Sequence, residues 1–511
     1  MIKGLYPEGV LSPDDKRISA QSLLFGHRIK PEQTLYEYLI EFLIVANSHK
    51  KIEKGSSDIV LTDMFPISDE LNNHALTYMP KSNMGLKRFI FFDNSRIDTR
   101  AIVDKEAYKT CLELIKKQID NENSSLDSKA CIFILQSILY GFSVENGGRS
   151  WFNKNLLPIS KEVLFPESLG IQKYRKNVNL GDPNIDREFS FNSYTYMCRG
   201  GEVYYLHLLH AINAYPESKE KIENGITTLL TSMPAITELS KFIQDNWVKD
   251  QEITFSTDSD PDVKKTLSAI PIGFESRDKY TVSELCNFLS CKIQPMEKLD
   301  IFSYGLILQL LRMMFNVAAE SAETGNSAWV LDMSTDEQRE KSEIKKLAAM
   351  CYAKNEESVI KYLNYGIEYY FGGKTTEEKD SLYHKAEGDT YKLFRKLAKN
   401  IGILIPLTGN NMRFTLSEEV IKFLVMSLVP AGSKITYEYF LDLMYEHFGM
   451  IVSPEQYRVA VTDGKVMTSD NITFLSSNKT AFSQKLKESG FLRDLSDATA
   501  IVENPYEMEE I

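Results

Sequence analysis

The stretch NIGILIPLTGNNMRFTLS, residues 400–417, decides the fold of the C-terminal part of the chain. Its Gly402 is typical of a helix C-cap and ends the helix predicted before it. The short strands predicted over 403–406 and 412–415 flank a Gly-Asn-Asn turn, which predicts a tight β-hairpin. Ser417 then provides the N-cap of a further helix. The predicted order is therefore helix, hairpin and capped helix.

A second set of elements follows residue 430. Three helices are predicted, over 436–448, 454–461 and 479–489. Gly449 and Gly490 close the first and the last of them. A strand or turn is predicted over 472–475, and the runs 491–493 and 500–502 predict a terminal hairpin. The order after residue 430 is thus helix, helix, helix and hairpin.

This order resembles the winged-helix fold, in which the third helix can enter the DNA major groove and the hairpin can touch the backbone. The resemblance covers residues 374–511, either as one C-terminal region or as two tandem units over 376–430 and 431–511. It implies an interaction module for DNA or for a protein partner.

A set of basic or amide side chains would face DNA in such a module. They are Lys392, Arg395, Lys396, Lys399 and Arg413 in the first unit and Lys479, Gln484, Lys485 and Lys487 on the third helix of the second unit. They suffice for a few phosphate contacts. In the alternative interpretation these lysines form a solvated helix face and the module packs on a protein. We favour a protein partner, with DNA as the second expectation.

The rest of the chain is predicted to be mainly helical. At 511 residues it is too long for one hydrophobic core. We expect an N-terminal α+β region over 1–125, a helical body over 126–373 and the winged-helix-like region over 374–511. Strands are predicted at 58–62 and 88–92, the latter because the run FIFF suits a short buried strand. The fold class is a mainly α, multidomain helical body with few short strands, followed by the α plus β-hairpin C-terminal region.

Net charge and hydropathy restrict the possible partners. The net charge of −12 argues against a dedicated nucleic-acid coat or a polybasic membrane binder. The most apolar run, 301–319, is flanked or interrupted by Glu297, Asp300, Arg312 and Glu320, which predicts a buried core helix rather than a membrane span. The N-terminus lacks the apolar stretch of a signal peptide. We therefore expect a cytoplasmic protein that does not contact a membrane.

The cysteines indicate a reducing compartment. Six of them are scattered along the chain without a C-x-x-C pair, at Cys111, Cys131, Cys198, Cys286, Cys291 and Cys351. Such spacing is typical of free thiols in the cytoplasm and predicts neither a disulfide framework nor a zinc site. No metal and no cofactor is expected.

One segment, CRGGEVYYLHLLH at 198–210, has residues that could form a binding or catalytic site. Two glycines before a helix free backbone N–H groups for an anion, and Arg199 adds positive charge. His207 and His210 lie three residues apart and so share one helix face. The functional interpretation is a phosphate or nucleotide pocket that uses Arg199, Glu202, His207 and His210. In the alternative, which we favour, the glycines allow a tight turn and the histidines are satisfied in a helix contact.

Other motifs are weaker. Gly147-Gly148-Arg149 lacks the spacing of a P-loop, and the aspartates at 258, 260 and 262 lack the Gly and Glu of a calcium loop. A stripe of tyrosines at helical spacing, which could stack bases, is more typical of a core or interface face. It consists of Tyr362, Tyr365, Tyr369 and Tyr370.

Three functions follow from these patterns. The helical body, the segment 199–206 and the C-terminal end together resemble accessory proteins of bacterial anti-phage or restriction islands. The resemblance implies a non-catalytic interaction or scaffold subunit of a defence or DNA-processing system. The alternatives are an enzyme acting on nucleotides or nucleic acid through the segment 199–210, and a transcriptional regulator that uses the C-terminal module.

Overall fold

The computed structural model describes most of the chain. The described residues are 22–23, 29, 33–52, 59–72, 76–79, 84–91, 102–122, 125, 127–144, 154–164, 200–251, 265–266, 275–321, 328–334, 343–469, 471–496 and 499–509. Within them lie 15 α-helices and several short strands, so the expectation of a mainly helical protein is confirmed.

The element bounds are as follows. The helices are α1 (Leu35–Asn47), α2 (Met84–Phe91), α3 (Ile102–Glu122), α4 (Ser128–Tyr140), α5 (Gly200–Ala214), α6 (Lys219–Thr231), α7 (Pro234–Gln251), α8 (Asp278–Leu289), α9 (Pro295–Ser321), α10 (Glu343–Phe371), α11 (Thr376–Asn400), α12 (Glu418–Leu428), α13 (Tyr437–Phe448), α14 (Pro454–Thr462) and α15 (Phe474–Glu488). The strands are β1 (His49–Ile52), β2 (Ile59–Leu61), β3 (Leu76–Met79), β4 (Lys265–Thr266), β5 (Trp329–Val330), β6 (Leu404–Ile405), β7 (Arg413–Phe414), β8 (Lys434–Thr436), β9 (Met450–Ile451), β10 (Leu492–Ser496) and β11 (Thr499–Glu503).

The chain divides into two compact units that interleave along the sequence. The first unit consists of Met1–Leu35, Val203–Gly225 and Ser268–Ile511, and the second of Tyr36–Glu202 and Ile226–Leu267. Each unit therefore takes segments from more than one of the regions predicted from the sequence.

The second unit contains an antiparallel sheet in the order β2-β1-β3-β4. The inner strand β1 pairs on both sides, with Lys50 opposite Leu61 and Tyr78. Lys50 is fully buried, and its ammonium donates to the carbonyls of Ala46 and Ser48 at 2.8 and 2.9 Å. A buried cation is tolerable because these backbone oxygens replace its water.

One strand prediction in this unit is wrong and one is confirmed. The run 88–92 was expected to be a strand, but residues 84–91 form helix α2, which packs on α3 and α7. The apolar part of this run, 89–92, is too short to show a period that separates a buried strand from a buried helix. Phe89, Ile90 and Phe91 are all buried, as they would be in either element. The strand expected near 58–62 is present as β2.

The core of the first unit is built around α9. Of the described helices, α9 alone is long and apolar enough to cross a membrane, and 94% of its most apolar window is buried inside the protein. The predicted burial of the run 301–319 is therefore confirmed. Helix α9 packs on α10, α11 and α12. Near its C-terminal end, Phe315 contacts the stacked rings of Trp329 and Phe414, whose centroids are 4.5 Å apart.

The stretch 400–417 folds as its sequence predicts. Gly402 follows α11 with φ +69°, the left-handed conformation that glycine adopts without a steric cost. Strands β6 and β7 then pair antiparallel, with Leu404 opposite Phe414 and Ile405 opposite Arg413. Ser417 caps α12 by accepting from the N–H of Val420. The predicted helix, hairpin and capped helix are confirmed.

The segment after residue 430 also follows its predicted order, with one shifted boundary. Gly449 and Gly490 close α13 and α15 in the left-handed conformation. Helix α15 begins at Phe474 rather than at Lys479. Of the strand or turn expected over 472–475, residues 474–475 belong to the first turn of the helix, and 472–473 precede it. The terminal hairpin β10–β11 pairs antiparallel with β8, giving a sheet in the order β10-β11-β8.

Candidate functional site

The N-terminus of α5 is the first part of the candidate site. Arg199 lies outside the described residues. The N–H of Gly201 donates to the carboxylate of Glu41 at 2.8 Å, so the anion at this helix N-terminus is the protein's own. A Cβ atom at Gly201 would lie 2.4 Å from the carbonyl oxygen of Tyr38. The glycine is therefore required because α5 and α1 approach closely within the second unit.

Glu202 is also engaged within the second unit. It is buried, and its carboxylate accepts a hydrogen bond of 2.6 Å from the hydroxyl of Tyr78 on β3. This contact joins α5 to the central part of the sheet. A carboxylate held in this way is part of the packing of the unit.

The two histidines on α5 meet the start of α8 in the first unit. His210 Nδ1 lies 2.7 Å from Oδ2 of Asp278. His207 Nε2 lies 2.9 Å from the hydroxyl oxygen of Thr281, and its Nδ1 lies 4.0 Å from Oδ1 of Asp278. Asp278 is the first residue of α8, where the helix dipole stabilises a carboxylate. We name His207, His210, Asp278 and Thr281 the histidine cluster.

The two histidines of this cluster titrate in opposite directions. Burial lowers the pKa of His207 well below its ordinary value, and the positive charges of Arg277 and His210 lower it further. The hydrogen bond to Asp278 raises the pKa of His210, and the negative charges of Asp278 and Glu275 add to it, against the effect of burial. Near neutral pH, His207 is therefore neutral and His210 more readily protonated.

The histidine cluster has the composition of a hydroxyl, a histidine and a carboxylate, as in nucleophilic catalysis. Two observations separate it from a working triad. His207 and Thr281 are each 1% exposed, so a substrate does not reach the hydroxyl. The distance of 4.0 Å between Nδ1 of His207 and Oδ1 of Asp278 is longer than that of a hydrogen bond. The side chain of His210 is 27% exposed and can exchange a proton with solvent. In this conformation the cluster fastens α5 to α8.

A buried polar network around Glu284 lies further along α8. One oxygen of Glu284 accepts from Nη2 of Arg277 at 3.1 Å and contacts Nδ1 of His447 at 2.9 Å; the other accepts from Gln309 at 2.5 Å. Burial would raise the pKa of Glu284, but Arg277 and His447 outweigh it and the pKa is lowered. Sequence reasoning missed this network, because Glu284 and His447 are 163 residues apart in the chain. The available signal was a carboxylate and an amide on otherwise apolar helix faces.

The basic residues predicted to face DNA in the first tandem unit are mostly engaged inside the protein. Both Nε and Nη2 of Arg395 donate to one oxygen of Glu356, at 2.8 and 2.6 Å. Arg413 donates to Asp332 at 2.6 Å, and Lys399 donates to a backbone carbonyl at 2.8 Å. Lys392 and Lys396 are exposed on α11. The structure therefore does not group these side chains into one free basic surface.

The lysines of α15 are likewise either paired with carboxylates or partly buried. Lys479 lies 2.7 Å from a carboxylate oxygen of Glu438, and Lys487 forms an ion pair with Asp494. Lys485 is partly buried, and this burial lowers its pKa. The exposed amide of Gln484 donates to the side chain of Glu488 on the same helix.

The remaining predicted motifs divide between described and other residues. The glycine pair at 147–148 and the aspartates at 258, 260 and 262 lie outside the described residues. In the tyrosine stripe, Tyr362 is fully buried whereas Tyr365 and Tyr369 are exposed, so its members do not form one uniform face.

Two further observations concern ligands. The part of the chain that the structure describes contains no group of three or more His, Cys, Asp or Glu side chains arranged to hold a metal ion. A cleft of about 250 Å³ lies in the second unit between α1, α7 and the segment 161–164, and its lining includes Lys161, Glu162, Lys241 and Asp245. Sequence reasoning had no signal for this cleft.

Comparison with protein-family models, with curated proteins and with solved structures finds no match for this chain.

Proposed function

We propose that the chain is a non-catalytic subunit of a bacterial defence or DNA-processing system, located in the cytoplasm, and that residues 431–511 form a winged-helix-like module that binds a protein partner. The observation that carries the choice of a protein over DNA is the charge of this module. It has seven Lys and Arg against thirteen Asp and Glu.

The topology supports the winged-helix-like part of the proposal. Strand β8 leads into α13, and α14 and α15 follow before the hairpin β10–β11. Strand β11 lies between β10 and β8, so the hairpin and the first strand share one antiparallel sheet. The short strand β9 departs from the pattern, because it pairs in parallel with β5. That pairing connects the module to the body of the first unit.

The ion pairs support a protein partner. Binding to duplex DNA gains most of its free energy when free lysines and arginines displace the counterions of the phosphates. Lys479 and Lys487 on α15 are already paired with Glu438 and Asp494. A phosphate would have to displace both carboxylates and approach a surface of net negative charge. A protein partner that brings no phosphate does not have to displace these carboxylates or overcome this repulsion.

The tip of the hairpin offers an apolar contact. Leu495 near the end of β10 is 65% exposed. A single exposed leucine is common on a protein surface, so Leu495 is the position at which a contact of the hairpin tip is tested rather than evidence for one. In the proposed module this position corresponds to the wing.

The first arm of the test measures DNA binding by the full chain. Binding is measured as the fluorescence anisotropy of a labelled DNA duplex at low salt. We expect the double variant Lys479→Ala/Lys487→Ala to give the same anisotropy as wild type, because α15 does not contact DNA. If the double variant instead weakens duplex binding and flattens its salt dependence, the module contacts phosphates and the proposal fails.

The second arm tests the protein partner. A photo-reactive phenylalanine analogue is placed at Leu495 in the full chain and, as a control, at Met350, an exposed apolar position on α10. We expect a single discrete host protein to be cross-linked from position 495 and not from 350. Identical patterns from both positions, or none from either, would count against a partner at the wing.

A further inference from the structure

Helix α4 carries an apolar stripe on its solvent side. Phe133, Ile134 and Ile138 are 71%, 53% and 45% exposed. The inner face of α4 is well anchored, since Ile132 and Leu139 are buried and the helix packs on α2 and α3. The exposed side chains therefore belong to an ordered helix.

The stripe has the periodicity of a helix contact surface. Its exposed members are spaced at intervals of three and four residues along the helix: Ala130, Phe133, Ile134, Ser137, Ile138 and Gly141. Two rows four residues apart, 130–134–138 and 133–137–141, form the ridges that interdigitate when two helices pack. Ser137 donates to the carbonyl of Phe133 at 2.8 Å, so its hydroxyl needs no outside partner.

We propose that a second copy of this chain covers the stripe, with the two α4 helices antiparallel about a two-fold axis near residues 135 and 136. In that register Phe133 faces Ile138 of the other copy, Ile134 faces Ser137, and Ala130 faces Gly141. Large side chains thus meet smaller ones, and the smallest residues lie at the ends. A two-fold contact requires this kind of self-complementarity.

The charge of the stripe selects a second copy over other occupants. Between residues 128 and 144 the only charged residue is Lys129. Two copies of this acidic chain, with a net charge of −12, can meet on the stripe without bringing carboxylates into contact. A partner that binds through charged side chains finds no opposite charge to pair with on this face. A helix that lies on a membrane surface has a solvated polar face rich in Lys and Arg, but the opposite face of α4 is packed on the protein.

The size of the contact sets its strength. One helix stripe is smaller than the ~800 Å² per partner that a stable interface buries, so the dimer should be weak. We expect a dissociation constant on the order of 10 µM, which lies in the range of transient association.

Sedimentation velocity of the full chain over about 1 to 100 µM tests the dimer. Wild type should shift from monomer to dimer across this range, and Phe133→Asp or Ile138→Asp should raise the dissociation constant at least about tenfold. Ile67→Asp is the matched control, because Ile67 is 50% exposed elsewhere in the same unit. A dimer unaffected by both stripe variants would overturn the proposal.

A monomer at every concentration would also overturn it. In that case, loss of flotation with neutral-lipid vesicles in Phe133→Asp would assign the stripe to a membrane, and loss of a captured protein would assign it to another partner. Both results exclude the second copy. Neither bears on the module at residues 431–511, so the two proposals fail separately.

Disulfide trapping tests the register. In chains with Cys131→Ser, an Ile134→Cys chain is mixed with a Ser137→Cys chain under mild oxidation. The antiparallel register predicts a cross-linked heterodimer that exceeds either homodimer, because positions 134 and 137 face each other across the axis. Equal cross-linking in all three samples would exclude that register.

Discussion

The guanidinium Nε of Arg413 donates to Oδ2 of Asp332 at 2.6 Å, and this ion pair joins the hairpin β6–β7 to the segment that follows β5. Asp332 is 1% exposed. Its other carboxylate oxygen accepts from the N–H and the hydroxyl of Ser334. Arg413 was predicted to face DNA, but its charge is used to neutralise a buried carboxylate.

Replacing Arg413 should therefore affect stability rather than nucleic-acid binding. Arg413→Gln leaves Asp332 buried without its cation and should lower the free energy of unfolding by about 3 kcal/mol, measured by urea denaturation. The double variant Asp332→Asn/Arg413→Gln should recover part of the loss, since no charge remains buried. The control is Lys396→Gln at an exposed position of α11, which should leave stability unchanged. Equal stability of Arg413→Gln and wild type would contradict this role.

The histidine cluster predicts a pH dependence with a defined sign. The pKa of His210 is raised in the folded state by Asp278, so its contribution is fully present below the unfolded value of about 6.5 and is lost as pH rises through the folded pKa. Wild type should exceed His210→Gln in melting temperature at pH 6, and this difference should shrink at higher pH. A constant difference between pH 5 and 9 would show that the ion pair does not contribute.

His207 predicts the opposite sign. Burial lowers its pKa in the folded state, so the unfolded chain takes up a proton near pH 6.5 while the folded chain does not. Its contribution is present above that pH and is lost as pH falls. His207→Gln, which keeps a polar group near Thr281, should therefore lose less stability than wild type when pH is lowered from 7 to 5. A steeper acid loss in the variant would contradict this assignment.

Local signals in the sequence predicted the C-terminal elements well. A helix cap or a tight turn depends on one or two residues and their φ angles, as Gly402, Ser417 and Gly449 demonstrate. The run 88–92 failed because a short apolar segment fits a strand and a helix equally well. Only the packing of α2 on α3 and α7 decides between them.

The candidate site was predictable only in part. The spacing of His207 and His210 correctly placed both on one helix face, and both lie close to Asp278. The identity of that carboxylate was not predictable, because it lies on another helix with a long segment between them. The same applies to the pairing of Glu284 with His447, and to the carboxylates that neutralise Lys479 and Lys487.

The contact between Gly305 on α9 and Phe423 on α12 predicts that no side chain larger than that of glycine fits at position 305 without a shift of its neighbours. A Cβ at Gly305 would lie 2.1 Å from the ring of Phe423, which itself packs on Phe288, so an alanine there forces these packed groups to shift. Gly305→Ala should destabilise the protein by about 2 kcal/mol, although alanine is the better helix former. Gly388→Ala, in the exposed interior of α11 with nothing near its Cβ, should stabilise by about 0.5–1 kcal/mol. Thermal denaturation of both variants checks the contrast, and equal shifts would refute it.

The ion pair between Lys298 and Glu509 connects the C-terminal segment to α9 and leads to a prediction about stability. The side chain of Lys298 is 3% exposed, and its ammonium donates to the carbonyl of Leu289 at 2.7 Å and to the carboxylate of Glu509. Glu509→Gln leaves a buried cation without its counter-charge, which should lower the free energy of unfolding by about 2 kcal/mol, because Glu509 is partly exposed and solvent compensates in part.

A neighbouring pair supplies the control for this prediction. Glu507 pairs with Lys292, and both side chains are largely exposed, so Glu507→Gln should leave stability unchanged. Lys298→Met in the Glu509→Gln background should restore much of the loss, because an apolar chain of similar length removes the unpaired charge. Guanidinium denaturation of the four chains measures these differences. If Glu507→Gln and Glu509→Gln change the free energy of unfolding equally, the burial of Lys298 does not make its ion pair more stabilising than the exposed pair.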